Sequence, residues 1–135
     1  MLKKPIKYTD YNGAEREETH YFHLSKADLM DLEMENGGSL QSVITRMTEI
    51  TDGPTIYKLI KSIIHKAYGV KDDNGGFDKD EKHLKKFMRT DAYSELIIEL
   101  IGNPEEAAAF FKGIMPKDIQ DEIAKNEKLL ADQAK

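Results

Sequence analysis

The 135-residue sequence contains no cysteine, and it has no long apolar run. Without cysteine the chain can form neither disulfides nor thiolate zinc sites. No segment approaches the roughly 18 consecutive apolar residues of a membrane-spanning helix, and residues 1–10 lack the apolar core of a signal peptide. At this length one domain can bury a core without covalent staples. These features predict a soluble, intracellular protein with no membrane association.

Motifs for catalysis are also missing from the sequence. No Gly-x-Ser-x-Gly elbow occurs, and Gly37-Gly38-Ser39 is not followed by the Lys-Ser/Thr of a phosphate-binding loop. Acidic pairs such as those at 17–18 and 105–106 lie in exposed settings where nothing would raise the pKa of one carboxyl relative to the other. The sequence therefore predicts a protein that is not an enzyme and that uses no cofactor.

Metal-ligand patterns are equally weak. The segment DDNGGFD at 72–78 looks superficially like a calcium loop, but either placement of its glycine leaves Val70 or Lys71 at the first ligand position. A solvated turn is the better interpretation. The histidines form no zinc-ligand set, and we predict all of them on the surface: His20, His23, His65 and His83. No metal site is expected.

Charge is spread unevenly along the chain. The net charge is -5, from 20 basic and 25 acidic residues, which argues against broad nucleic-acid binding. Residues 10–35 contain eight acidic and two basic residues, whereas residues 53–69 contain three lysines and no acid. Surfaces of opposite sign could attract each other within one molecule or between copies, and the sequence leaves both alternatives open.

The N-terminal segment carries the signal of a β-hairpin at Asn12-Gly13, because both residues tolerate positive φ. A two-residue loop would set Tyr8 opposite Glu17, whereas a turn with Gly13 as a bulge sets Tyr8 opposite Arg16. We favour the bulged register because it gathers four large side chains on one face: Leu2, Ile6, Tyr8 and Phe22. A lone hairpin is marginal in water, so this face must cover helices or pair with another strand.

Apolar residues at helical spacing, with glycine and proline as breaks, predict helices in most of the remaining chain. The segments are 25–36, 39–50, 54–68, 80–88, 91–101, 104–114 and 117–135, with a polar loop at 70–79. Gly69 is expected in the left-handed conformation just past the end of its helix. The fold class is mainly α, a helical bundle of about five to seven helices with an N-terminal β-hairpin.

The domain organisation follows from this pattern. Residues 1–116 are predicted to form one domain, with the hairpin at 2–24 and the helices at 25–116. Residues 117–135 form a polar C-terminal helix or tail with few large apolar residues, so we expect it to be weakly anchored.

The first helix is predicted to begin with a capping box, in which Ser25 and Asp28 bond to each other's backbone N–H groups. Leu29 and Leu32 are expected to face inward, and Met30 and Met34 are further candidates for the inner side.

The most strongly patterned segment is TDGPTIYKLIKSIIHKAYG at 51–69. Its apolar residues share one helical face: Ile56, Leu59, Ile60, Ile63, Ile64 and Ala67. This stripe is too long and regular to stay exposed in a monomer, so we assign it to the core. The opposite side is expected to be solvent-exposed and positively charged, and thus available to partner proteins: Lys58, Lys61, Ser62, His65 and Lys66.

Three segments carry a resemblance to a known family. They are IKYTDYNGAEREETHYFHLSKADLMDLEM, TDGPTIYKLIKSIIHKAYG and FMRTDAYSELIIELIGNPEEAAAFFKGIMP. In this order they resemble the tail assembly chaperones of long-tailed bacteriophages, of the type found in phages and prophages of Gram-positive hosts. The resemblance covers about residues 4–116, and it depends on the order of hairpin, Asp-Gly-Pro-Thr helix and EAAAFF segment rather than on one motif.

The resemblance implies a function. Such proteins act in the host cytoplasm, bind and solubilise the tape measure protein, and help to recruit tail tube protein around it, but are not expected in the mature virion. Many exist in two lengths through a translational frameshift, and this chain would match the short form or the shared N-terminal part.

Two groups of residues are candidates for partner binding. The first consists of lysines that would meet an acidic surface, such as the 15–35 region of a neighbouring copy in a homo-oligomer: Lys58, Lys61 and Lys66. The second consists of apolar residues that would meet an exposed helical stripe of the partner: Phe110, Phe111, Ile114 and Met115. For the second group an ordinary place in the core is an alternative interpretation.

Two other functions remain alternatives. A small nucleic-acid-binding phage protein would use the basic stripe between Lys82 and Arg89, although flanking acids make nucleic acid an unlikely partner. A structural head or tail component would remain in purified virions.

Overall fold

The computed structural model describes residues 1–49 and 52–133. Four strands are β1 Leu2–Thr9, β2 Glu15–Phe22, β3 Tyr68–Lys71 and β4 Phe77–Asp78. The helices of the described residues are α1 Lys26–Asn36, α2 Leu40–Glu49, α3 Gly53–Ala67, α4 Glu81–Met88, α5 Asp91–Gly102, α6 Pro104–Gly113 and α7 Lys117–Gln133. The predicted mainly α fold with an N-terminal hairpin is confirmed. The predicted segments 39–50 and 117–135 each extend past the described residues.

The N-terminal hairpin has the bulged register. Tyr8 lies opposite Arg16, and Leu2 lies opposite Phe22. Gly13 has a φ of 82°, a conformation that favours glycine, and the Asp10 carboxylate accepts hydrogen bonds from two backbone N–H groups of the turn. The turn residues therefore set the pairing that places the apolar side chains of β1 and β2 on one face.

The hairpin is extended into a four-stranded antiparallel sheet with the order β1-β2-β3-β4. Two predictions about this region are wrong. Residues 70–79 include strand pairing between β3 and β4, and Gly69 lies within β3 rather than in a left-handed helix cap. The physical reason is that α3 runs directly into β3, which pairs with β2. A Cβ on Gly69 would lie 2.6 Å from the Phe77 ring, so glycine lets this ring pack against the strand.

Ser25 and Asp28 form the predicted capping box at the start of α1. Gly37, with a φ of 65°, ends this helix in the left-handed conformation.

The core lies between the inner face of the sheet and the helices. The apolar stripe of α3 is buried as predicted, with Ile60, Ile63 and Ile64 almost free of solvent. Phe22 of β2 is fully buried, and its ring makes an edge contact with Phe110 of α6 at 5.2 Å between centroids. Each such side chain contributes about 1.5–3 kcal/mol through burial, so the hairpin is held by the helices rather than by its own hydrogen bonds.

The C-terminal helix α7 is attached to the remainder by specific contacts. Ile123 is buried, and Lys26 pairs with Asp118 at 2.8 Å between Nζ and Oδ2. The Gln120 side chain donates to the Met115 carbonyl at 2.7 Å. The domain boundary after residue 116 stays a prediction. None of the helices in the described residues combines the length and the apolar character that crossing a membrane requires.

Candidate partner-binding site

The outward side of α3 forms a shallow surface depression of about 550 Å³. It exists because the inward side of the same helix carries the buried stripe, which leaves the polar residues facing away from the core. We call this surface the α3 basic face, and its residues are Tyr57, Lys58, Lys61, Ser62, His65 and Lys66. The structure thus brings the three predicted lysines together on one surface.

An aromatic ring lies within this basic surface. Tyr57 is 43% exposed, and the Lys61 Nζ atom lies 5.0 Å from the centroid of its ring. At this distance the cation is attracted to the ring face. The pair holds one positive charge beside an exposed apolar surface, which is a combination suited to protein contacts.

Lys66 is already paired inside the molecule. Its Nζ atom lies 2.9 Å from Oε1 of Glu35, which belongs to the acidic 10–35 region. For this lysine the intramolecular alternative is the one that the structure shows. Lys58 and Lys61 have no acidic partner within 4 Å among the described side chains, so they carry the charge that the α3 basic face offers to a partner.

His65 was predicted on a fully solvent-exposed side of α3, and this prediction is wrong. It is half-buried, its Nε2 atom forms a 2.6 Å hydrogen bond with the Tyr93 hydroxyl, and the two rings stack at 5.8 Å. Burial lowers the pKa of His65, and the nearby Lys61 charge lowers it further. Burial likewise raises the pKa of Tyr93. Both groups are therefore neutral at pH 7, so His65 contributes an uncharged ring to the α3 basic face.

Two other histidines also depart from the surface prediction. The His20 side chain is 13% exposed and packs against the Phe87 ring at 4.7 Å, and its Nε2 atom has no hydrogen-bond partner. His23 is half-buried. Burial lowers the pKa of both imidazoles. The sheet and α4 cover His20 together, and this long-range contact was not visible in the local sequence.

The predicted apolar binding residues lie in the core. The structure buries all four: Phe110, Phe111, Ile114 and Met115. The two adjacent phenylalanines can both be buried because α6 packs against α2 and α5 while Phe22 covers it from the sheet. These side chains are not presented to solvent, so the core interpretation is the one that the structure shows.

The basic stripe of α4 is exposed. It comprises Lys82, Lys85, Lys86 and Arg89. Lys85 pairs with Glu81 at 3.2 Å, one helical turn away, and the backbone carbonyl of Arg89 accepts a hydrogen bond from the Tyr11 hydroxyl at the hairpin tip. Asp80 caps the helix and contacts His83 at 2.6 Å. The stripe is thus flanked by acids rather than interrupted by them, as expected for the solvated side of an amphipathic helix.

The outer side of α1 carries apolar residues that sequence reasoning placed inward. Leu29 and Leu32 are buried as predicted, but Met30 is 61% and Met34 is 82% exposed. Residues 30 and 34 are one turn apart and share a helix face different from that of the two leucines. That spacing was the signal that could have identified this surface.

No cluster of three or more potential metal-ligand side chains occurs in residues 1–49 and 52–133. The segment at 72–76 is a hairpin turn in which the Asp72 carboxylate accepts hydrogen bonds from the N–H groups of Asn74 and Gly76. Gly75 has a φ of 84° in this turn.

Comparison with known proteins connects the chain to a family. A family model described as phage tail assembly chaperone matches residues 1–135, which is the whole sequence. No curated protein and no solved structure matches the chain.

Proposed function

The chain belongs to the phage tail assembly chaperone family, and we propose that it binds the tape measure protein, keeps it soluble and helps to recruit tail tube protein around it. It acts in the host cytoplasm through non-covalent contacts and leaves before the virion is mature. A chaperone of this kind makes no covalent bond, which agrees with the absence of catalytic motifs from the sequence.

The observation that carries the proposal is the α3 basic face. Lys58 and Lys61 present two positive charges beside the exposed Tyr57 ring, and the apolar stripe of the same helix is buried and rigidly held. A surface of this kind suits acidic patches along a long helical partner. Each contact is weak, but many copies bound along one long partner hold it through avidity.

Copies aligned along the tape measure protein also come close to one another. The α3 basic face of one copy then contacts acidic surface of the next, which makes a homo-oligomer part of the proposal. Such head-to-tail contacts between different surfaces are open-ended and suit a rod of any length. Light scattering at low salt tests this step, because replacing Lys58 and Lys61 by glutamate is expected to lower the measured mass.

Co-expression with the tape measure protein of the same phage tests the main proposal. The wild-type chain is expected to increase the soluble fraction of that protein, and the double variant Lys58→Glu/Lys61→Glu is expected to lose most of this effect. A matched control is Lys82→Glu/Lys86→Glu on α4, which changes the net charge equally on a different exposed surface. Equal solubilisation by both variants would show that the α3 basic face does not bind the tape measure protein. If the wild type does not increase the soluble fraction, the proposed function itself is contradicted.

A further inference from the structure

Helix α1 has two apolar sides. Leu29 and Leu32 enter the core, whereas Met30 and Met34 point to solvent on another side of the same helix. Met34 is the most exposed of the large apolar side chains that the structure describes. Exposing two such side chains one turn apart has no benefit for folding, because neither contributes burial to the native state.

The two methionines line a shallow groove of about 270 Å³ on the outside of the molecule. We call it the α1 methionine groove, and its residues are Met30, Glu33, Met34 and Gly38. Gly38 lines the groove just before the start of α2. Methionine is unbranched and polarizable, and it adapts its shape to different apolar partners.

The groove contains one acidic residue, Glu33, and the same helix carries three more acids: Asp28, Asp31 and Glu35. Asp28 pairs with Lys79, and Glu35 pairs with Lys66, but Asp31 and Glu33 have no basic partner within 4 Å among the described side chains. The last turn of α1 contains no basic residue, so the negative end of the helix dipole adds to these charges. The groove therefore favours a ligand that brings positive charge next to apolar side chains.

We propose that the α1 methionine groove binds an amphipathic helix of a partner protein whose apolar stripe is flanked by lysine or arginine. A helix fits because Met30 and Met34 form a ridge with the i, i+4 spacing that matches the stripe of a second helix. This inference rests on the proposed function, and it specifies the chemistry of the segment that the chaperone holds.

A second copy of the chain is a poorer occupant of the groove. Its own α1 would bring acidic residues against acidic residues, which is repulsive. Its basic helices α3 and α4 bury their apolar stripes, with Ile63 and Phe87 inside the core. Beside their lysines they expose single apolar side chains, Tyr57 and Met88, rather than a stripe. The groove needs a ligand with both positive charge and an apolar stripe, and this combination favours a protein other than a second copy of the chain.

Methionine methyl NMR tests the groove directly, because the chain has six methionines and their environments differ. The probe is a synthetic helical peptide with a leucine stripe and lysine flanks. It is expected to shift the Met30 and Met34 signals and to leave the buried Met47 and Met115 unchanged. Equal shifts at the exposed Met1 and Met88 would mean non-specific adhesion and would overturn the proposal.

Two matched controls sharpen this experiment. The first control is a peptide with the same leucine stripe but glutamate flanks, which is expected to bind the parent chain at least about tenfold more weakly. The second control is the variant Met30→Gln/Met34→Gln, which is expected to bind the lysine-flanked peptide at least about tenfold more weakly than the parent does. Glutamine is of similar length and is an equally good helix former, so the variant is expected to fold as the parent does. Unchanged affinity in either arm would contradict the proposal.

Co-expression with the tape measure protein then separates this proposal from the function on which it rests. If the wild type solubilises that protein and Met30→Gln/Met34→Gln does so equally well, the groove is not its binding site although the function stands. If the wild type has no effect, the proposed function fails, and the peptide titration still decides whether the groove binds basic amphipathic helices.

Discussion

Helices α1 and α3 are neighbours joined by the Glu35–Lys66 ion pair, yet they present opposite surfaces to solvent. The outer side of α3 is basic with one aromatic ring, whereas the outer side of α1 is acidic with two exposed methionines. Helix α3 follows a regular amphipathic pattern that buries its inner stripe from Leu59 to Ala67 and partly covers Ile56. Helix α1 departs from such a pattern, and its unburied apolar residues are the ones free to contact another protein.

The difference teaches how charge and apolar surface can be divided within a small chaperone. One surface offers positive charge to acidic patches, and the other offers apolar contact with acidic flanks. A long helical partner with patches of both kinds can be held by both surfaces at once, which increases avidity without a deep pocket. The following predictions test this division, in order of expected effect.

The largest effect is expected from shortening an inner residue of α3. Ile63→Ala removes buried side-chain volume and should lower the free energy of unfolding by about 2–5 kcal/mol. The exposed Met34→Ala should change it by no more than about 0.5 kcal/mol. Urea unfolding followed by circular dichroism measures both. A large loss of stability for Met34→Ala would mean that α1 needs its outer methionine for folding. This would contradict the view that the outer side of α1 serves binding and the inner stripe of α3 serves stability.

A smaller effect concerns pH and the imidazole within the α3 basic face. The pKa of His65 is lowered in the folded chain, so the unfolded chain binds a proton more readily. Stability is therefore present above the usual histidine pKa of about 6.5 and is lost as the pH falls toward the lowered folded value.

The variant His65→Gln tests this dependence, since glutamine can still bond to the Tyr93 hydroxyl but does not titrate. Unfolding is measured at about pH 7.5 and about pH 5.5 in the parent and the variant. The parent should lose more stability on acidification than the variant does. Parallel losses would show that the burial of His65 does not contribute, and that His20 and His23 account for the acid sensitivity.

The smallest effect on stability is expected from the ion pair between the two helices. Glu35→Gln removes a partly exposed pair and should cost about 0.2–1 kcal/mol. It also releases Lys66, which should make the α3 basic face bind an acidic synthetic helix more tightly. A titration monitored by the NMR signals of Tyr57 measures the affinity. Weaker binding by the variant would mean that Glu35 is needed to position the surface.

Local sequence predicted the elements whose determinants are close in the chain. Asn12-Gly13 specified the hairpin register, and Ser25 with Asp28 specified the start of α1, because turns and caps are formed by residues a few positions apart. The α3 stripe was assigned correctly to the core, since its spacing leaves one continuous apolar face. The family that the sequence resembles is confirmed by the family-model match over residues 1–135.

Most of the errors came from contacts between distant residues. Strand β3 forms because Gly69 can pair with Tyr21, far away in the chain, and His65 is half-buried because Tyr93 of α5 covers it. The exposed side of α1 was missed for a local reason, because Met30 and Met34 were assigned inward although their spacing places them on a different face from Leu29. The α3 basic face was predicted, but the pairing of Lys66 with Glu35 joins residues that are 31 positions apart in the chain.

Site-specific photo-crosslinking to the tape measure protein tests the central claim most directly. A photoreactive phenylalanine replaces Met34 in the α1 methionine groove or Tyr57 in the α3 basic face, and the exposed Tyr11 and Met88 serve as control positions. Cells that assemble tails are irradiated, and the products are identified by mass spectrometry. The account predicts crosslinks to the tape measure protein from positions 34 and 57 well above those from the controls, and no chain in mature virions. Equal yields at all four positions, or stoichiometric retention in virions, would contradict it.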